Sequence, residues 1–177
     1  NFISEIAHQI HHGQGAISIE HAMVKATNHI VANTIDPDVP QFRLNPKSSI
    51  NDPEQSFDVI ILTGTPNNLL VSEECRRNRQ GKLTCQTTTQ KVANEYLDRT
   101  FKFEAELLAK VIKNAYGDRC HSITKCINPG KPGFEAEYRR VIANANGRKV
   151  YFIYDGHGVA DENNIQPGDL FVTSGLG

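Results

Sequence analysis

The chain has 177 residues, 38% hydrophobic and 22% charged, which is enough for one domain with a packed core and excludes global disorder. Nineteen Lys and Arg against twenty Asp and Glu give a net charge of −1, so the balance argues against a dedicated nucleic-acid or anionic-membrane binder. No apolar run approaches a membrane span, and the opening NFISEIAHQIHHGQG lacks the basic-then-apolar order of a signal peptide.

In chain order, residues 2–12 and 17–34 are expected as helices. In the second, Ile17, His21, Val24, Asn28 and Val31 recur at three- and four-residue steps, and Ser18 suits the N-cap. His8 and His12 fall four apart on one helical face beside His11. With no third ligand in sequence, they are expected as an exposed polar face. Residues 36–56 hold four of the eight prolines, which predicts an extended connector and a boundary between a helical N-terminal segment (1–35) and a domain over 57–177.

Beyond the connector the pattern changes. The run FDVIILT at residues 57–63, closed by Gly64, predicts a strand buried on both faces. Residues 65–86, with Arg76, Arg77, Arg79 and Lys82 around Gly81, are expected as a solvated loop. Thr87 and Gln90 form a capping-box signature, predicting a long helix from there to about Tyr116. Its expected apolar face is Val92, Tyr96, Phe103, Leu107, Leu108, Val111 and Ile112. Residues 119–127 predict a second strand. Pro132 and Gly147 bracket a helix over 133–146, with Phe134, Tyr138, Val141, Ile142 and Ala145 at helical spacing. KVYFIY at 149–154 is the most strand-like segment, followed by a predicted sharp turn at Asp155-Gly156-His157-Gly158. Strand, helix, strand, helix, strand is the order of an α/β domain with a mainly parallel sheet flanked by helices.

The four cysteines form two local pairs, Cys75/Cys85 and Cys120/Cys126. Each pair could close a short loop as a disulfide, and the spacing equally allows plain thiols. A structural zinc site needs tighter spacing. Paired cysteines lean toward an exported protein without fixing its location.

His157 is the leading catalytic candidate. Set between two glycines at a strand end, its imidazole has open access, and the Gly158 amide can approach a substrate oxygen. A turn with a merely exposed histidine is the bland alternative. Asp155, Asp161 and Glu162 could favour a basic substrate side chain. Ser174 in TSGLG lacks the Gly-x-Ser-x-Gly spacing of a nucleophile elbow.

The block KVYFIYDGHG, after two strand–helix units, resembles the histidine block of the caspase–haemoglobinase fold of cysteine peptidases, which includes caspases, metacaspases, legumains and clostripain-like enzymes. FDVIILTG is similar to the family's first core strand, and GDLFVTSGLG to the short hairpin after the histidine. The resemblance covers roughly residues 57–177. It implies a Cys-His dyad with His157 as acid–base residue, Gly158 as oxyanion donor, a polypeptide substrate and no cofactor.

No cysteine follows His157 in these 177 residues. The nucleophile is therefore expected outside this chain, on a second chain or a removed segment. The first residue, Asn and not Met, agrees with a processed, zymogen-derived product or an excised segment. A non-catalytic interaction module of the same fold is the alternative. FIYDGHGV also resembles the Asp-Gly-His-Gly block of metal-dependent serine/threonine phosphatases. That resemblance implies a divalent cation on Asp155 and the Gly156 carbonyl, but Asp161, Glu162 and Asp169 crowd behind the motif where that family needs distant acids.

Overall fold

The computed structural model describes residues 2–34, 55–65, 68–92 and 94–156. The proline-rich connector, the His157-Gly158 block, Asp161, Glu162 and GDLFVTSGLG lie outside the described residues, the connector except for its last two positions. Two helices open the chain, α1 (Phe2–Gly13) and α2 (Ile19–Asn33). Strand β1 (Phe57–Gly64) follows, then a ribbon of β2 (Asn68–Arg77) and β3 (Leu83–Val92). Helix α3 (Glu95–Tyr116), β4 (Cys120–Ile127), α4 (Gly130–Asn144) and β5 (Lys149–Gly156) complete it.

The three apolar strands form one parallel sheet in the order β4-β1-β5, as the alternation of elements predicted. β1 is the centre and is buried along its whole length, because both its faces are covered. Phe57, Val59 and Ile61 point to one face, where Tyr151, Ile153 and Cys120 join the inner sides of α1, α2 and α3. Ile60 and Leu62 point to the other, where Cys126 and Val141 of α4 close a smaller cluster. The N-terminal helices are thus built into the main core. Tyr116 Oη donates to the Ile17 carbonyl at 2.7 Å, and Arg119 donates to the Gly15 carbonyl at 2.9 Å.

Several helix faces differ from expectation for a common reason. In α3 the buried side is Glu104, Ala105, Leu108, Ala109, Ile112 and Tyr116, while Tyr96 and Phe103 stand 74% and 67% exposed. In α2 it is Ile19, Glu20, Ala22, Met23 and Ala26, not the stripe through Ile17 and Val31. In both, alanines at four-residue spacing let the helix approach closely, and bulk on the adjacent stripe is turned outward. Ser18 caps α2 as expected, its Oγ accepting from the His21 amide at 3.1 Å.

The largest correction concerns residues 65–92. The expected loop and the first turns of the expected helix are instead an antiparallel ribbon, and α3 starts at Glu95 behind the Asn94 cap. Leu83–Val92 is rich in threonine, whose β-branched side chain suits a pleated ribbon. Cys75 and Cys85 lie directly opposite each other and are disulfide-bonded, locking the register. Cys120 and Cys126, by contrast, are free and buried in separate clusters on the two faces of the sheet. Six residues of extended strand hold them about 20 Å apart, so no bridge between them is possible. The expected sharp turn at Asp155-Gly156 is also corrected: β5 continues through both.

Candidate active site

The two ends of the parallel sheet differ in electrostatic state. At the amino end every buried acid is matched. Asp58 accepts from Ser122 Oγ at 2.5 Å, from Arg148 Nε at 2.9 Å, and faces His121 Nδ1 at 2.9 Å. Burial pushes its carboxyl up, but these hydrogen bonds and the Arg148 charge together hold it below the usual range. His121 reaches Asp58 because the register skips it: Phe57 pairs with Cys120 and Asp58 with Ser122. Its side chain is 54% exposed, and Ser122 donates to the aspartate instead of to the imidazole, so this is no nucleophile triad. Glu20 is treated likewise. Burial raises it, yet the Tyr151 hydroxyl and Lys149 Nζ, the latter at 2.9 Å, bring its carboxyl below the usual range.

At the carboxyl end the arrangement is reversed. β1 and β5 run in register there, Thr63 beside Asp155 and Gly64 beside Gly156. The sheet order reverses at β1, since β4 lies on one side of it and β5 on the other. A crevice forms outside the carboxyl ends of strands at such a reversal. The β4 side of this rim is stitched. The Asn128 amide donates to Thr63 Oγ1 at 3.1 Å, Asn128 Oδ1 accepts from the Thr65 amide at 3.4 Å, and Thr65 Oγ1 donates to Asp98 at 3.4 Å.

The β5 side carries two acids together. Asp155, 8% exposed, points to the α3 face and meets Glu104, 7% exposed. Burial, then a hydrogen bond and repulsion from Glu104, push the Asp155 carboxyl up to about 8. The pair shares a proton at neutral pH, because two carboxylates cannot hydrogen-bond to each other. Asp155 Oδ2 has no hydrogen-bond partner among the described residues. A neutral, buried Asp155 is unsuited to the exposed anionic contact with a basic substrate side chain expected from sequence.

Gly156 explains the first glycine of the Asp-Gly-His-Gly block. A Cβ there would run into the Gly64 carbonyl and the Tyr154 ring, so the closeness of β1 and β5 at the rim demands glycine. The next residue in sequence is His157.

No protein-family model, curated protein or solved structure matches this chain.

Neither free cysteine is placed to serve as nucleophile. Burial pushes the Cys120 thiol up to about 11, with Lys113 opposing and Asp58 reinforcing, and it sits at the amino end of β4. Cys126 is also raised, by burial and then by Glu137. A thiol so shifted carries almost no thiolate at neutral pH. Among the described residues the one cluster with metal-ligand spacing is Glu73, Cys75 and Cys85, whose sulfurs are bonded to each other. Also among the described residues, no helix is long and apolar enough to cross a membrane.

Glu104 was not singled out from sequence. Its signal was an acid in register with the apolar stripe through Leu108 and Ile112, four residues ahead of Leu108.

Proposed function

We propose that the carboxyl-end rim of the β4-β1-β5 sheet is the histidine-bearing half of a cysteine peptidase site, with the thiol supplied from outside these 177 residues. One observation carries the reading: β5 is a parallel strand ending at Gly156, beside the end of β1, at the point where the sheet order reverses. The sequence places His157 and Gly158 directly after it. Helices on both faces and a central strand buried on both sides accord with the resemblance to caspase–haemoglobinase peptidases. A formed Cys75–Cys85 bridge accords with an oxidising compartment.

The chemistry follows from the residue types. A thiolate attacks the scissile carbonyl carbon, and the carbonyl π electrons move onto oxygen. Amide donors, that of Gly158 among them, stabilise that oxyanion. His157 takes the thiol proton and returns it to the departing amine, leaving an acyl-enzyme that water hydrolyses. Glu104 and Asp155 hold the end of β5 against α3 and so fix where the imidazole begins. They are positioning residues.

An acyloxymethyl ketone probe tests the reading on the natural assembly that contains this chain. One cysteine should be alkylated in the wild type, and His157→Ala should abolish labelling while leaving the fold intact by circular dichroism. An unlabelled wild-type assembly, or equal labelling of the variant, overturns the dyad and leaves the non-catalytic module.

A further inference from the structure

The β2–β3 ribbon stands apart from the rest of the molecule. Residues 71–90 are exposed on both faces, and among the described residues the ribbon makes no extensive contact with another element. Ten-residue strands make an arm about 30 Å long. A lone two-stranded ribbon is marginal in water. This one is secured by the Cys75–Cys85 bridge in mid-arm and by a tip built on Asn78, whose Oδ1 accepts from the Gln80 and Lys82 amides at 3.0 and 2.9 Å. Gly81 adopts φ +77° to complete the turn.

The arm carries Glu73 and Glu74 before its bridge, and its charge is one-sided from the bridge through the tip and along β3. From Cys75 to Val92 there are five Lys or Arg and no Asp or Glu, so the rest of the chain holds fourteen Lys or Arg against twenty acids. Four of the cations, Arg76, Arg77, Arg79 and Lys82, crowd the tip. Arg76 has only a long, exposed pairing with Glu74 at 3.4 Å, and Arg77 donates to the Gly81 carbonyl at 3.2 Å. Arginine's planar fork suits carboxylates, and no aromatic residue is present from Asn68 to Val92 on which a nucleic-acid base could stack.

The arm is also rooted at the candidate site. β2 begins three residues after Thr65, at the end of β1, and β3 returns to the start of α3, whose Asp98 is bonded to Thr65. Both outer edges of a two-stranded ribbon offer unpaired backbone groups to an added strand.

We propose that the disulfide-stapled β2–β3 ribbon is a recruitment arm that captures acidic, extended polypeptide segments, adding them as a third strand with their carboxylates on Arg76, Arg77, Arg79 and Lys82. In making such segments the substrate class, the proposal rests on the peptidase reading. Capture itself is independent of it. No bond is made or broken in this step.

Fluorescence anisotropy on the His157→Ala protein separates the two, because no cleavage is involved. The ligand is a labelled ten-residue peptide of alternating glutamate and threonine. It should bind at low ionic strength, weaken as salt rises, and weaken about tenfold or more in the triple variant Arg76→Glu, Arg77→Glu, Arg79→Glu. A lysine–threonine counterpart should not bind the unreversed arm. A glutamate peptide with alternate amides N-methylated keeps its charge but cannot complete a strand, so it should bind more weakly. Equal binding of the glutamate and lysine peptides, indifference to charge reversal, equal binding of the N-methylated peptide, or binding of a DNA or heparin oligomer with none of the acidic peptide overturns the proposal. Failure here with successful probe labelling leaves the peptidase reading intact, and the converse result removes catalysis but keeps the arm.

Discussion

The carboxyl groups of Glu104 on α3 and Asp155 at the end of β5 meet in the buried rim of the sheet, joined by a hydrogen bond that requires one proton between them. Every other buried acid of known environment has a base or a hydroxyl beside it: Asp58 has Arg148, His121 and Ser122, and Glu20 has Lys149 and Tyr151. The pair is thus the place where the fold holds an unfavourable arrangement, at the same rim where the sequence puts His157.

The first expectation concerns stability against pH. The Asp155 carboxyl titrates near 8 when folded and near 3.8 when unfolded. Between those values the folded chain holds a proton the unfolded chain has lost, so this contribution is fully present below about pH 4 and is lost as pH rises toward 8. Asp155→Asn keeps the shape and removes the titration. Denaturant melts at pH 5 and pH 8.5 should show the variant gaining on the wild type by up to about 4 kcal/mol at the higher pH. A difference that does not change with pH would falsify the shared-proton description.

Asp58 works in the opposite sense. Its folded carboxyl is held below the ordinary 3.8, so its contribution is present above that value and is lost as pH falls through the depressed one. Asp58→Asn leaves Arg148 without its charge partner and should cost about 2–3 kcal/mol at pH 6. That deficit should shrink when the melts are repeated near pH 2.5. A constant deficit would instead point to lost packing.

Thiol chemistry gives a third check. With Cys75 and Cys85 bridged, only Cys120 and Cys126 remain, and both are buried with raised thiols. A thiol-exchange reagent at pH 7.5 should release almost nothing from the native chain and two equivalents in denaturant. After mild reduction the arm, and not the core, should become the first target of trypsin, at Arg76, Arg77, Arg79 and Lys82. Rapid native reaction of two thiols would contradict the burial described.

The parallel core was legible because its signals are local and strong. FDVIILTG and KVYFIYDG are apolar, β-branched runs separated by helical spacing; burial on both faces leaves the first of them few other options, and the second buries Tyr151, Ile153 and Asp155 on one face. The ribbon was not legible, because residues 71–90 are exposed on both faces and show no apolar alternation. Threonine content and a cross-strand cysteine pair were its only marks, and a capping-box pattern at Thr87 competed with them. Helix faces were misjudged where alanine marks close approach, as Ala105 and Ala109 do in α3, because scoring by apolar bulk favours Phe103. The Glu104–Asp155 pair joins positions 51 residues apart, and nothing in local sequence announces such a meeting.

The final expectation addresses Gly156, where fold and proposed chemistry meet. β1 and β5 approach so closely at Gly64 and Gly156 that a methyl group would collide with a backbone carbonyl, which cannot rotate away as a side chain can. Gly156→Ala must therefore push β5 away from β1 or shift its end. The expected cost is about 2–3 kcal/mol, in the range of overpacking in a tight core. Gly147→Ala is the control. It sits at φ +80° with open space around the added carbon, so it suffers only backbone strain of about 1 kcal/mol and does not touch the rim. In the natural assembly, probe labelling should fall at least tenfold for Gly156→Ala at a temperature where it remains folded, and stay near wild type for Gly147→Ala. If the imidazole at 157 does its work independently of where β5 ends, both variants will label alike once the fraction folded is matched.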